Sequence, residues 1–273
     1  MSNCKIRIDQ ITAEYSNGTS NSWFSSPIRK NHKNNGAAGG SRVILDGISL
    51  EIMAGEFVCL LGHSGCGKST LLKTIAGFTK PAGGAVWIDG KEVKGPQSDH
   101  VFVFQEGALF PWLTIEENVA LALRSIKDPK ERQERARSYL ELVALEGVSE
   151  YYPHMLSGGM RQRAEIARAL AAEPDILLMD EPFSGLDYLT RLHLREEMVY
   201  LHSMLRKTTI LFVTHDIDEA LQLSNRLIIL SDPPAHVKCC REIRVPHPRS
   251  LANPELSELR SQIYQHLGVH TAI

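Results

Sequence analysis

Residues 57–75 read FVCLLGHSGCGKSTLLKTI. The apolar run that ends at Leu61 has the unbroken pattern of a strand buried on both faces of a parallel sheet. GHSGCGKST at 62–70 fits G-x-x-x-x-G-K-[ST], and the residues after it keep helical spacing over about 69–78. Strand, glycine-rich turn and helix in that order form a phosphate loop. Gly62, Gly65 and Gly67 let backbone N–H groups turn inward around an anion. The helix start adds unpaired N–H groups and the positive end of its dipole. Lys68 offers a point charge to the β- and γ-phosphates of a nucleotide, and the Ser69 hydroxyl is a hard oxygen ligand for Mg²⁺. The nucleotide site expected here is Gly62, His63, Ser64, Gly65, Cys66, Gly67, Lys68, Ser69 and Thr70. Cys66 has two readings: a thiol activated by the helix N-terminus, or a small side chain that fills space.

A second acidic half belongs with this loop. ILLMDEP at 176–182 ends an apolar strand in Asp180 and Glu181, at the strand end where open α/β sheets place ligands. Asp180 is placed to hold Mg²⁺ and Glu181 to orient or deprotonate the attacking water.

Outward from these motifs the chain alternates strands and helices. A strand over 6–15 precedes a Ser-, Asn- and Gly-rich inserted loop over 16–40, and 43–52 and 85–93 read as strands, the latter with an Asp89-Gly90 hairpin turn. The stretch over about 107–173 is mostly helical in pattern, with charges opposite an apolar face. The segments 175–182 and 208–216 are strands separated by a helix over 188–206. Strands alternating with helices at both ends of a helical insertion predict an α/β core carrying a helical subdomain. Beyond 230 the sequence reads as a short tail over 231–273, Pro-rich at first and then helical over 254–268.

Composition bounds what this core can do. The chain has 273 residues and a formal net charge of -2, so the whole molecule has no electrostatic footprint for nucleic acid. No apolar run approaches the roughly 18–20 residues of a membrane-spanning helix, and the N-terminus lacks the apolar core of a signal peptide. Five cysteines without paired CxxC spacing read as reduced thiols. A role at a membrane therefore requires a separate membrane partner.

LSGGMRQR at 156–163 identifies the family. It resembles the signature motif of ATP-binding-cassette (ABC) proteins, with Met160 where glutamine is common. Physically it is a second helix N-terminus, with Ser157 near the cap and Gly158 and Gly159 permitting close backbone approach. The resemblance implies an α/β fold, a P-loop NTPase (RecA-like) core with an antiparallel β subdomain and a helical subdomain, over 1–230. It implies that Ser157, Gly158 and Gly159 contact the ATP of a second subunit, so that the active site is completed in a homo- or heterodimer. Gln105 matches the glutamine that contacts Mg²⁺ and links to the membrane partner. Asp187, in Ser184-Gly185-Leu186-Asp187, looks like part of the loop that crosses the dimer interface, and His215 like the switch histidine at the γ-phosphate. Tyr15 stands where the family places the aromatic that stacks on adenine, with Trp23 and Phe24 as alternatives. ATP and Mg²⁺ are the implied cofactors, and Glu181, His215, Lys68 and Gln105 the implied catalytic set.

VFQEGALFPWLTIEENVALAL at 103–123 together with the phosphate loop resembles importer subunits for nitrate, sulfonate, taurine and bicarbonate. That implies an ATPase at the cytoplasmic face of the cell membrane, working with integral permease subunits and an extracytoplasmic solute-binding protein. An exporter ATPase and a soluble ABC ATPase are the alternatives. Phe110-Pro111-Trp112 either borders the groove that receives the permease or packs inside the helical subdomain.

Overall fold

The structure, a computed structural model, describes residues 4–16, 41–105, 107–204 and 207–268. Its strands and helices run β1 Cys4–Ser16, β2 Ser41–Met53, β3 Phe57–Leu61, α1 Lys68–Ile75, β4 Gly83–Ile88, β5 Lys91–Glu92 and β6 His100–Val103. Then come α2 Ile115–Ala120, α3 Pro129–Leu142, α4 Gly158–Ala171, β7 Ile176–Asp180, α5 Tyr188–Met204, β8 Thr209–Val213, α6 Ile217–Leu223, β9 Arg226–Leu230, β10 Val237–Glu242 and α7 Pro254–His266.

The apolar runs of the sequence become the central strands of a six-stranded sheet ordered β10-β9-β3-β8-β7-β6. Its strands are parallel except β10, which pairs antiparallel with β9. Every residue of β3, β7 and β8 is buried, because both faces of this sheet are covered. Alternate side chains feed two cores. Phe57, Cys59 and Leu61 of β3 pack with α4, α5, α6 and the helical subdomain. Val58 and Leu60 point the other way, onto Leu71, Leu72 and Ile75 of α1 and onto the second sheet. Each fully buried Leu, Ile or Phe contributes about 1.5–3 kcal/mol.

The second sheet, ordered β2-β1-β4-β5, is antiparallel throughout. It contains the hairpin expected at Asp89-Gly90, where both residues take positive φ, 50° and 75°. Two residues in that conformation match the twist of the strands they join. β1 runs to Ser16 and pairs there with Ser41, so the inserted segment springs from the end of a paired ladder. Residues 17–40, with Trp23 and Phe24, lie outside the described residues.

The helical subdomain is built from α2, α3 and α4. Thr114 and Glu117 form a reciprocal capping box on α2, and Asp128 caps α3 with Pro129 in the first turn. Within the stretch that reads as helical, α3 stops at Leu142 because Ala144 turns to φ 52°.

The segment read as a tail also differs. Val237–Glu242 adds β10 to the core sheet, and Leu256 and Ile263 of α7 enter the same core as Phe57. Arg249 fastens this segment, donating to the carbonyls of Leu221, Ser224, Ile243 and Val245 at 2.6–3.2 Å. VKCCRE carries charged residues at Lys238, Arg241 and Glu242, so as an edge strand it shows none of the continuous burial that marks a central one.

Candidate functional site

Parallel strands put their C-terminal ends on one side of a sheet, and the motifs sit there together. Leu60 of β3 and Asp180 of β7 both pair with Val213 of β8, and Val103 of β6 pairs with Met179. The next residues along each strand are therefore neighbours: Gly62, Glu181, His215 and Gln105.

The phosphate loop leaves β3 at Gly62. A Cβ there would lie 2.6 Å from the Cys66 Sγ. At Gly67, with φ 103°, it would lie 2.7 Å from Leu45 and 2.9 Å from Ile44. At Gly67 the loop is pressed against β2, and at Gly62 against its own Cys66 and Leu230 of β9, so a side chain at either glycine has no room. Gly67 also stands at the N-cap of α1, whose first turn carries neither a capping side chain nor an acidic residue. Its leading N–H groups have no intrahelical acceptors and remain available to an anion. The Lys68 side chain folds over the loop, its Nζ donating to the carbonyls of Gly62 at 2.7 Å and His63 at 2.9 Å. His63 and Ser64 are exposed on the loop's outer side, and His63 Nδ1 lies 3.0 Å from Asp232 Oδ1.

Cys66 settles between its two readings. Its side chain is buried under the loop, and burial pushes the thiol pKa up, outweighing the nearby Lys68 charge. It fills space, and the activated-thiol reading is overturned.

Across the site, the Ser69 Oγ donates to Asp180 Oδ1 at 2.8 Å. The first- and second-half motifs thus meet at one point. Burial raises the Asp180 pKa, partly countered by the Ser69 bond. A buried carboxylate beside a hydroxyl, with Lys68 and Lys73 only partly offsetting the burial, is a donor pair suited to a hard divalent cation, which fits Mg²⁺. Gln105 follows β6 and is exposed.

Glu181 sits one residue past the strand with φ 48°, a left-handed conformation costly for a non-glycine residue. Its backbone N–H donates to Val213 O at 3.0 Å, which holds it against β8. Its Oε2 lies 3.2 Å from the His215 Nδ1, so the two expected catalytic side chains are in direct contact.

The LSGG segment starts α4. The Ser157 Oγ accepts from Met160 N at 3.2 Å, and Ser157 and Gly158 are exposed. A Cβ on Gly159 would approach Leu186 at 3.3 Å and the Gly185 carbonyl at 3.4 Å, so this end of α4 packs on the turn leading to Asp187. Asp187 is exposed, and its Oδ1 accepts from Thr190 N at 3.0 Å at the start of α5. Tyr15 stands at the end of β1 with 61% of its surface exposed.

Several contributing residues lay outside the sequence reading. Gln162 on α4 reaches the Glu181 carbonyl at 3.4 Å and the Gly185 N–H at 3.3 Å, tying the signature helix to the turn after Glu181. Glu165 accepts from Ala108 N at 2.7 Å, and Arg168 donates to Ala108 O at 2.9 Å. Asn118, fully buried, accepts from Phe110 N and donates to the carbonyls of Phe110, Leu113 and Thr114. Together they clamp the segment between Ala108 and Thr114. The available signal was Asn118 itself, a polar residue on the apolar face of α2. Trp112 on that segment is 69% exposed and meets Phe110 at 5.4 Å, which excludes the reading that buries it in the helical subdomain.

A family model described as ABC transporter matches residues 45–184. The chain is 45% identical over 226 residues to the aliphatic sulfonates import ATP-binding protein SsuB of Bacillus cereus, covering 83% of this chain and 89% of that one. It is 42% identical over 237 residues to the nitrate import ATP-binding protein NrtC of Synechococcus elongatus, covering 84% of this chain but 36% of that longer protein. Among solved structures, the dimeric post-hydrolysis state of the ATP-binding cassette MJ0796 bound to ADP and Pi superposes with a TM-score of 0.70. It is 31% identical, with 88% of this chain and all of that one covered.

Proposed function

The chain belongs to the ABC transporter family, and on that premise we propose that it is the ATP-hydrolysing subunit of an importer for a small oxyanion. The sulfonate and nitrate import subunits it resembles support that substrate class, with taurine and bicarbonate as further members of it. The observation that carries the hydrolytic reading is the convergence of Lys68, the Ser69–Asp180 pair and the Glu181–His215 pair at one edge of a parallel sheet.

The chemistry assigned to each residue follows from its placement. The α1 N–H groups and Lys68 hold the phosphates, a charged acceptor outcompeting the neutral carbonyls that Lys68 meets in this structure. Ser69 and Asp180, with Gln105, would hold Mg²⁺, which neutralises phosphate charge. Glu181 orients a water in line with the γ-phosphorus and accepts its proton as the bond to ADP breaks. His215, held against Glu181, presents its ring to the same γ-phosphate. Tyr15 offers a stacking face for adenine. Ser157, Gly158 and Asp187 are exposed, and with Gly159 beside them would meet the nucleotide of a second subunit, so two chains complete two sites.

No described helix is long and apolar enough to cross a membrane. On this reading the translocation path belongs to permease subunits, docked on the segment 107–114 at the cytoplasmic face, with an extracytoplasmic solute-binding protein delivering the solute. Co-purification of the tagged chain from native membranes, followed by mass spectrometry, tests this. A polytopic permease and a solute-binding protein are expected; recovery with soluble proteins or nucleic acid alone would overturn the transport role.

A further inference from the structure

Glu181 and His215 are joined twice. The direct contact is the 3.2 Å approach of the carboxylate to the imidazole. The second route begins with the turn that follows Glu181, where Ser184 N donates to Glu181 O and Leu186 N to Phe183 O. Arg191, on the first turns of α5, donates from Nη2 to the Leu186 carbonyl at 3.1 Å and from Nη1 to Asp216 Oδ2 at 3.4 Å. Asp216 is the neighbour of His215. The path Glu181–Leu186–Arg191–Asp216–His215 therefore closes a ring around the pair.

The histidine end of the ring is rigid. Asp216 Oδ1 caps α6, accepting from Asp218 N at 2.8 Å and Glu219 N at 3.2 Å. The Thr214 Oγ accepts from Asp216 N at 3.0 Å and donates to Glu219 Oε2 at 2.6 Å. Residues on both sides of His215 are thus anchored to α6. Arg195, almost fully buried, neutralises Asp216 and Glu219 at 3.1 and 3.3 Å and does not reach the turn. Arg191 is partly exposed and alone among the described residues contacts the Leu186 carbonyl and the Asp216 carboxylate at once. The planar fork of a guanidinium holds two acceptors in one fixed geometry, whereas an ammonium presents its donors from a single nitrogen and fixes neither direction.

We infer that Arg191 is a positioning residue for hydrolysis: it makes the turn 184–187 and the switch histidine move as one body, keeping His215 in register with Glu181 when a second subunit packs on that turn. This rests on the hydrolytic reading above. The test is steady-state ATP hydrolysis by the full chain, at concentrations that dimerise, for wild type, Arg191→Gln and Arg191→Lys, with thermal unfolding of each. Lysine preserves the charge beside Asp216 but not the fixed fork that sets the direction of both bonds. Both variants are expected to lower kcat roughly ten- to a hundred-fold, the range of a small misplacement of a catalytic group, with KM for ATP within about two-fold of wild type. Arg191→Lys should keep the wild-type melting temperature, and it carries the test if Arg191→Gln fails to fold. Wild-type kcat in Arg191→Lys would overturn the inference, because charge alone would then suffice. A rise in KM matching the loss of kcat/KM would overturn it too. A wild-type chain that does not hydrolyse ATP would sink the hydrolytic reading itself.

Discussion

Glu181 and Cys66 show how differently two short-range signals resolve at the residue scale. Glu181 holds a left-handed backbone at the end of a buried strand, anchored by the bond from its N–H to Val213, and it faces His215. Strain kept at such a position is characteristic of a working site, where the surrounding contacts over-determine it. Cys66 also lies in the loop beside a helix start, yet its thiol is turned under Gly62, and desolvation raises its pKa. A raised pKa leaves less thiolate at neutral pH, and the thiolate is the reactive form. Maleimide applied to the folded chain at pH 7 should therefore modify the exposed Cys240 and leave Cys66 untouched, by peptide mapping. All five cysteines should label in denaturant. Rapid, nucleotide-protected labelling of Cys66 would contradict its placement.

Among the elements, those legible in the sequence are the ones whose chemistry is local. The phosphate loop, the strand ending in Asp180-Glu181 and the strand ending in Thr214-His215 each carry their meaning within about ten consecutive residues. What was not legible depends on partners far along the chain: Gln162 on the Glu181 carbonyl, Glu165 and Arg168 on Ala108, Arg191 on Asp216. Nothing in the spacing of α4 tells which of its polar residues will meet another element. β10 escaped for a similar reason, since an edge strand needs only one covered face and half of its residues are charged. The clamped segment 108–114 is where this matters for function. Asn118 fixes its backbone, Glu165 and Arg168 fix Ala108, and Trp112 is left outside. Replacing an exposed side chain that supports no core changes stability by about 0.5 kcal/mol or less. Trp112→Ala should accordingly keep its melting temperature while the fraction retained with permease falls about ten-fold, as for an aromatic anchor at an interface. A large drop in melting temperature would mean that Trp112 supports the subdomain instead.

The whole molecule divides its labour between a rigid sheet and the pieces set around its C-terminal edge. Two cores pack the sheet from both faces, and Arg249 ties the C-terminal segment to one of them through four backbone carbonyls. On that frame, the phosphate loop and the Glu181–His215 pair occupy one edge, while Ser157, Gly158 and Asp187 are exposed on adjoining turns. On the proposed reading such a site is half a site, and the dimeric cassette that superposes on the chain supports its completion by a second copy or a close relative. Glu181→Gln tests that most directly, because it removes the proposed proton acceptor while leaving the phosphate loop intact. Measured by steady-state hydrolysis and by size-exclusion chromatography with ATP and Mg²⁺, the variant should turn over about 10²–10⁴-fold more slowly and elute as a stable ATP-bound dimer. Hydrolysis at the wild-type rate, or a monomer at saturating ATP, would contradict the account.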